Sequence, residues 1–187
     1  MSMNKLKNTF CLTVAAMCCA HAVSAADDAG SNLDGMLAEL AKPETENWQD
    51  LEERISDQWS RSGSRTMDLL LERGLDAIDE GKLDVAVEHL TALTDHAPEF
   101  AEGWNLRATA FFLMDEYGLA QGDLIRALAR NPKHFSAYFG AGVILEETGA
   151  FKAALRSYRA AFAINPHREN VAEAIERLER MVDGWTL

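Results

Sequence analysis

Pro98, Pro132 and Pro166 fall 34 residues apart, and counting back from each recovers the same order of residue types. A large side chain stands at Leu70, Trp104 and Tyr138, with a small one four places later at Gly74, Ala108 and Gly142. Alanine returns at Ala86, Ala120 and Ala154. A large group follows at Leu90, Leu124 and Tyr158, and then comes Leu93, Ala127 or Ala161. A fixed period read three times without a gap confines the chain to an array of like units. Each unit is too small to bury its apolar face alone.

The pattern is similar to that of the tetratricopeptide repeat family, and the resemblance implies two antiparallel helices per unit. In the first, helix A runs roughly from Met67 to Glu80 and helix B from Leu83 to Thr94. Gly81 and Gly149 stand where helix A must stop, since glycine accepts the left-handed conformation that closes a helix. The second unit has Asp115 there, which accepts it less readily. Asn131-Pro132 and Asn165-Pro166 are turn signals ahead of the next unit. The small residues let two helices approach closely, and a larger side chain there would overpack by about 1–3 kcal/mol. Such short helices are marginal alone in water, so stacking must supply the stability. The expected product is a quasi-one-dimensional solenoid with a concave face.

In its period and in the order of its large, small and alanine positions, the unit resembles the tetratricopeptide repeat family. The resemblance covers Met67 to Arg168, as units 67–100, 101–134 and 135–168. The middle unit departs most in its turn, and Arg73 and Arg107 sit where the family usually has leucine. The fold implied is all-α, an α-solenoid of three tandem helix hairpins with a degenerate N-terminal helical segment and a C-terminal capping helix. The resemblance also implies a groove lined by helix A at five positions of each unit. In the first these are Asp68, Leu71, Leu75, Ile78 and Asp79; in the second, Glu102, Asn105, Thr109, Phe112 and Leu113. In the third they are Ser136, Phe139, Val143, Glu146 and Glu147. The set is an apolar floor edged by carboxylates with no basic side chain. It calls for a partner protein offering a peptide or amphipathic helix with apolar anchors and Lys or Arg flanks. The competing reading makes Leu71, Leu75, Phe112 and Phe139 core residues packed on an adjoining helix. Some family members grip a peptide's terminal carboxylate with Lys, Arg and Asn. Here Asn105 alone lies near such a position, while Ser136 and Gly140 stand where positive charge would be needed, so that mode is not expected.

The flanks divide the rest of the chain. Residues 1–25 read as a secretory signal: Lys5 and Lys7, a short apolar core from Phe10 to Ala20, and small residues around Ala25 for cleavage. The core is shorter than the ~20 apolar residues of a membrane anchor. Cys11, Cys18 and Cys19 all lie in that segment, so the remainder has no thiol chemistry and no disulfide. An exported repeat protein without disulfides fits a bacterial periplasm. Loss of Lys5 and Lys7 would take the formal charge from −12 to −14, which argues against nucleic-acid or anionic-lipid binding. Any membrane association would be indirect. Residues 26–45 form a linker, acidic and small up to Ser31, with a short helix carrying Leu33, Met36, Leu37 and Leu40. In 46–66, Trp48, Leu51, Ile55 and Trp59 line one side of a helix capped by Asn47, before a bend at Ser60–Ser64. These two helices are expected as a degenerate hairpin leading the solenoid. The alternatives are a binding surface made by the tryptophans, or a helix lying in the chain's own groove. Residues 169–187 form the closing helix and a tail, with Trp185 expected to fold back onto the last helix pair.

A guanidinium at a packed position needs acceptors, because an unpaired buried charge costs several kcal/mol. Arg107 is expected to reach Asp123 across its hairpin, as a structural pair. His89 replaces that acid in the first unit and leaves Arg73 in want of another acceptor. His89, His96, His134 and His167 are scattered, with no ligand-spaced cluster and no catalytic fingerprint nearby, so neither metal, cofactor nor enzyme is expected. The function expected is a periplasmic interaction adaptor or scaffold. The alternative is an oligomerisation module stacked end to end through Trp48, Trp59 or Trp185.

Overall fold

A computed structural model of the chain describes residues 32–184, so the secretory signal expected over residues 1–25 and the expected seat of Trp185 lie outside the described residues. Among those described are nine helices and no strand. The N-terminal pair is α1 (32–40) and α2 (Trp48–Trp59). The hairpins follow as α3 (Arg65–Asp79) with α4 (Leu83–His96), α5 (Ala101–Leu113) with α6 (Tyr117–Arg130), and α7 (Phe135–Glu147) with α8 (Phe151–Ile164). Helix α9 (Glu169–Gly184) closes the array. The first hairpin starts two residues earlier and ends two later than the periodicity predicts. Asn47 precedes α2, but its side chain makes no capping hydrogen bond.

All three A-to-B turns close in the same way. Gly81, Asp115 and Gly149 take φ of 71°, 60° and 76°. The following amides of Lys82, Glu116 and Ala150 then reach back to Ala77, Phe111 and Leu145 carbonyls at 2.8, 2.9 and 2.7 Å. These are the six-to-one bonds that satisfy a helix's last carbonyls. In the B-to-A turns, Asn131 Oδ1 accepts from the Lys133 amide at 3.1 Å and Asn165 Oδ1 from the His167 amide at 3.3 Å.

Within each hairpin the small residue of helix A receives the large residue of helix B. A Cβ added at Gly142 would sit 2.6 Å from the Tyr158 ring, and one at Gly74 2.6 Å from Leu90. Only glycine fits at either place. Successive cores then join neighbours: Leu71, Leu90 and Leu93 meet Ala110 of the next unit, and Trp104, Ala108 and Leu124 meet Ala137 and Ile144. Ala154, Leu155 and Tyr158 meet Val171, Ala174 and Leu178 of α9.

The N-terminal pair does not lead the solenoid. Its core of Met36, Leu37, Leu40, Leu51 and Ile55 closes on Phe135, with Trp48, Trp59 and Ile164 around it and no member from the first repeat. Polar bonds run the same way. Lys133 donates to Asp34 at 2.9 Å, His167 Nε2 to the Leu40 carbonyl at 3.0 Å, and Asn165 to Glu52 at 2.6 Å. Arg168 also pairs with Glu52. The indole of Trp48 stacks on His167 at 5.4 Å and that of Trp59 on His134 at 4.5 Å. Helix α2 therefore lies across the two B-to-A turns that flank the third repeat. The start of the array is left bare, and what it shows is largely polar: Glu72, Arg73 and Asp76 are exposed. Arg73 thus faces water and needs no protein acceptor.

Gly118 and Gly122 both fall inside α6, and a Cβ at Gly118 would meet nothing within 4 Å. Gly118→Ala should therefore stabilise the protein by about 0.5–1 kcal/mol in urea unfolding. Amides of α6 should exchange faster than those of α8 in the wild type. Equal protection of the two helices would contradict the idea that these glycines loosen α6.

Candidate functional site

Between α5 and α7, the A helices of the second and third repeats, lies an apolar pocket of about 250 Å³. Asn105, Ala108, Thr109 and Phe112 form one wall; Ser136, Phe139, Gly140, Val143 and Ile144 form the other, with Leu124 also lining it. Six residues of the expected groove set meet here: Asn105, Thr109, Phe112, Ser136, Phe139 and Val143. None of the lining comes from α1 or α2, so the leading helices leave the pocket open. Elsewhere in the set, Leu75 and Leu113 are 44% and 50% exposed, two of only six large apolar side chains so exposed among the described residues. Ile78 is half-buried, and Asp79 and Glu147 stand exposed at the ends of α3 and α7.

The remaining positions differ from expectation. Leu71 is a core residue, 6% exposed and packed with Ala86 and Leu90. Three of the five carboxylates serve the fold. Asp68 accepts from the Ser62 amide at 2.7 Å and hydroxyl at 2.6 Å, holding the bend before α3. Glu102 meets His134 Nε2 at 2.7 Å and accepts from Asn105 Nδ2 at 3.3 Å. Glu146 pairs with Arg177 of the closing helix and accepts from the Tyr158 hydroxyl at 3.1 Å. Burial pushes the Tyr158 phenol well above its ordinary value, and the Glu146 charge raises it further. The acidic rim of the groove thus reduces to Asp79 and Glu147. Its partners were hidden in sequence because they come from other turns and from α9.

On the packed side of α5, Arg107 Nε donates to Asp123 Oδ2 at 2.7 Å and Nη2 to Oδ1 at 3.0 Å. Asp123 is 3% exposed and Arg107 13%. The guanidinium also donates to Thr94 Oγ1 at 2.9 Å and Thr91 Oγ1 at 3.2 Å, both on the preceding B helix. Its carbon lies 4.9 Å from the Trp104 ring centroid, a cation–π distance. Sequence spacing pointed to Asp123 but not to the two threonines. The first repeat has no preceding B helix, which is why Arg73 is left in solvent. No group of three or more His, Cys, Asp or Glu residues able to hold a metal ion occurs among the described residues. Nor is any described helix long and apolar enough to cross a membrane.

Comparison with known proteins agrees with this architecture. A family model described as tetratricopeptide repeat matches residues 71–120 and 114–169. A TPR repeat-containing protein of Rhizobium etli is 28% identical over 153 residues, spanning 81% of this chain and 75% of that protein. Among solved structures, the first TPR of Spaghetti (RPAP3), bound to the HSP90 peptide SRMEEVD, superposes with a TM-score of 0.62 at 22% identity. It covers 64% of this chain and 95% of that one. The Yersinia enterocolitica type III secretion chaperone SycD, in complex with a peptide of the translocator YopD, gives 0.60 at 17% identity. That match covers 63% of this chain and 95% of that one.

Proposed function

This chain belongs to the tetratricopeptide repeat family, and on that premise we propose that it is a protein-interaction adaptor of the bacterial periplasm. It holds a segment of a partner envelope protein in the concave groove. The observation that carries this reading is the open apolar pocket between α5 and α7, lined by Phe112 and Phe139, on a chain that also exposes Leu75 and Leu113. The occupant is a peptide or amphipathic helix that seats an apolar side chain beside Phe112 and Phe139. Its Lys or Arg flanks meet Asp79 and Glu147, in keeping with a chain of net charge −12. Related folds support the mode, since the RPAP3 domain and SycD hold peptides of their own partners. The periplasmic setting rests on the leader from Met1 to Ala25. End-to-end stacking is less favoured, because the bare end of α3 is mostly polar.

Crosslinking in the periplasm, compared between wild type and variants, tests the reading. Phe112→Glu should weaken capture of one specific partner at least tenfold, about 1.4 kcal/mol. Asp79→Lys combined with Glu147→Lys should weaken the same partner by less, and more strongly at low salt. The same partner retained by both variants would move binding off the concave face. A tagged chain remaining in the cytoplasm would remove the periplasmic assignment.

A further inference from the structure

A continuous run of contacts leads from the N-terminal helices into the pocket. It starts at Trp59 near the end of α2, whose ring lies 4.5 Å from His134 and 5.1 Å from Phe135. His134 is 1% exposed and serves two helices. Its Nδ1 accepts from the Ala137 amide at 3.3 Å, capping α7, so the ring hydrogen must reside on Nε2. That hydrogen goes to Glu102 Oε2 at 2.7 Å, on α5. The other oxygen of Glu102 accepts from Asn105 Nδ2 at 3.3 Å, and Asn105 lines the pocket. One imidazole therefore ties the start of α7 to the start of α5, the two helices that wall the pocket, and Trp59 covers it.

We infer that α1–α2 is a strap that positions the walls of the groove, with Trp59, His134 and Glu102 as its positioning residues. The inference rests on the groove being the binding site. With Trp59 in place, the imidazole is shielded from water that would otherwise compete for Glu102, and buried hydrogen bonds in such networks reinforce one another. The far end of the strap, where Glu52 meets Asn165 and Arg168, serves as its anchor and lies outside the pocket. Removing Trp59 frees the N-terminal turn of α7, and with it the spacing between Asn105 and Ser136.

The test uses the full chain, hydrogen exchange by mass spectrometry, and Nile red as an uncharged apolar probe of the pocket. Trp59→Ala should lower protection over the first two turns of α7 by about tenfold or more, while residues 65–96 keep theirs. It should also weaken dye binding several-fold. Trp59→Phe, which keeps an aromatic cover, should restore both. Glu102→Ala should weaken dye binding with α1–α2 still protected, and Glu102→Gln should recover it. Unchanged protection of α7 in Trp59→Ala overturns the inference, as does a loss spread evenly from α3 to α9. If Phe112→Glu leaves dye binding intact, the groove reading falls instead, and exchange at α7 still decides the strap.

Discussion

Asp123→Ala lowers the free energy of unfolding by about 3 kcal/mol, the low end of the range for removing one member of a buried pair. The carboxylate is 3% exposed and takes both arms of Arg107. Deleting it leaves the guanidinium between Thr91, Thr94 and the Trp104 ring without a counter-charge. Arg126, which donates to the same carboxylate at 3.2 Å, loses its partner too. The low end applies because Arg107 keeps 13% exposure and can turn partly toward water. Urea unfolding measures the difference, and a loss below about 1 kcal/mol would mean the pair is a bystander. The double variant Arg107→Met/Asp123→Leu should be far milder than the sum of the singles, since an apolar pair leaves no stranded charge.

Phe135→Ala should cost about 3–4 kcal/mol, as expected for a phenyl ring deleted from a core. The ring is 1% exposed and is shared by two bodies: the apolar side of α1–α2 and the start of the third repeat. Arg168 lies 5.3 Å over its face, so a cation–π contact goes with it. The loss should appear twice. Global stability falls, and trypsin cuts faster at Arg61, within the Ser60–Ser64 bend joining α2 to α3, and at Arg65, just after it. A variant that is destabilised yet as resistant at that bend as wild type would show that α1–α2 is held by its polar bonds instead.

The hairpins were legible because each unit repeats the same local chemistry: a residue that tolerates positive φ after helix A, a small residue facing a large one, and proline before the next unit. Local signals sufficed for local structure. Arg107 and Asp123 could be matched because both lie within one hairpin, 16 residues apart. The seat of α1–α2 could not be read in the same way. Trp48 and Trp59 are 11 residues apart and His134 and His167 are 33, and nothing in the chain links the two spacings. They coincide only because consecutive B-to-A turns stand side by side in the solenoid. The same limit explains the carboxylates: Glu102 and Glu146 look like free groove charges until His134 and Arg177 arrive from later helices. Leu71, which the sequence leaves between groove and core, falls to the core for a different reason. Its position also faces helix B of its own hairpin, where Ala86 and Leu90 claim it.

The contacts made by α1–α2 also bear on how the polypeptide is built. Neighbour-only arrays fold from short-range pieces and can assemble as they leave the ribosome. Here Leu40 and His167 meet across 127 residues, and Glu52 and Arg168 across 116. Those pairings add links of a sequence separation that the bare array lacks. Helices α1 and α2 must therefore wait for the turn at His167 before they find their whole seat. Until then the apolar side of α2, with Trp48 and Trp59, has no seat to cover it.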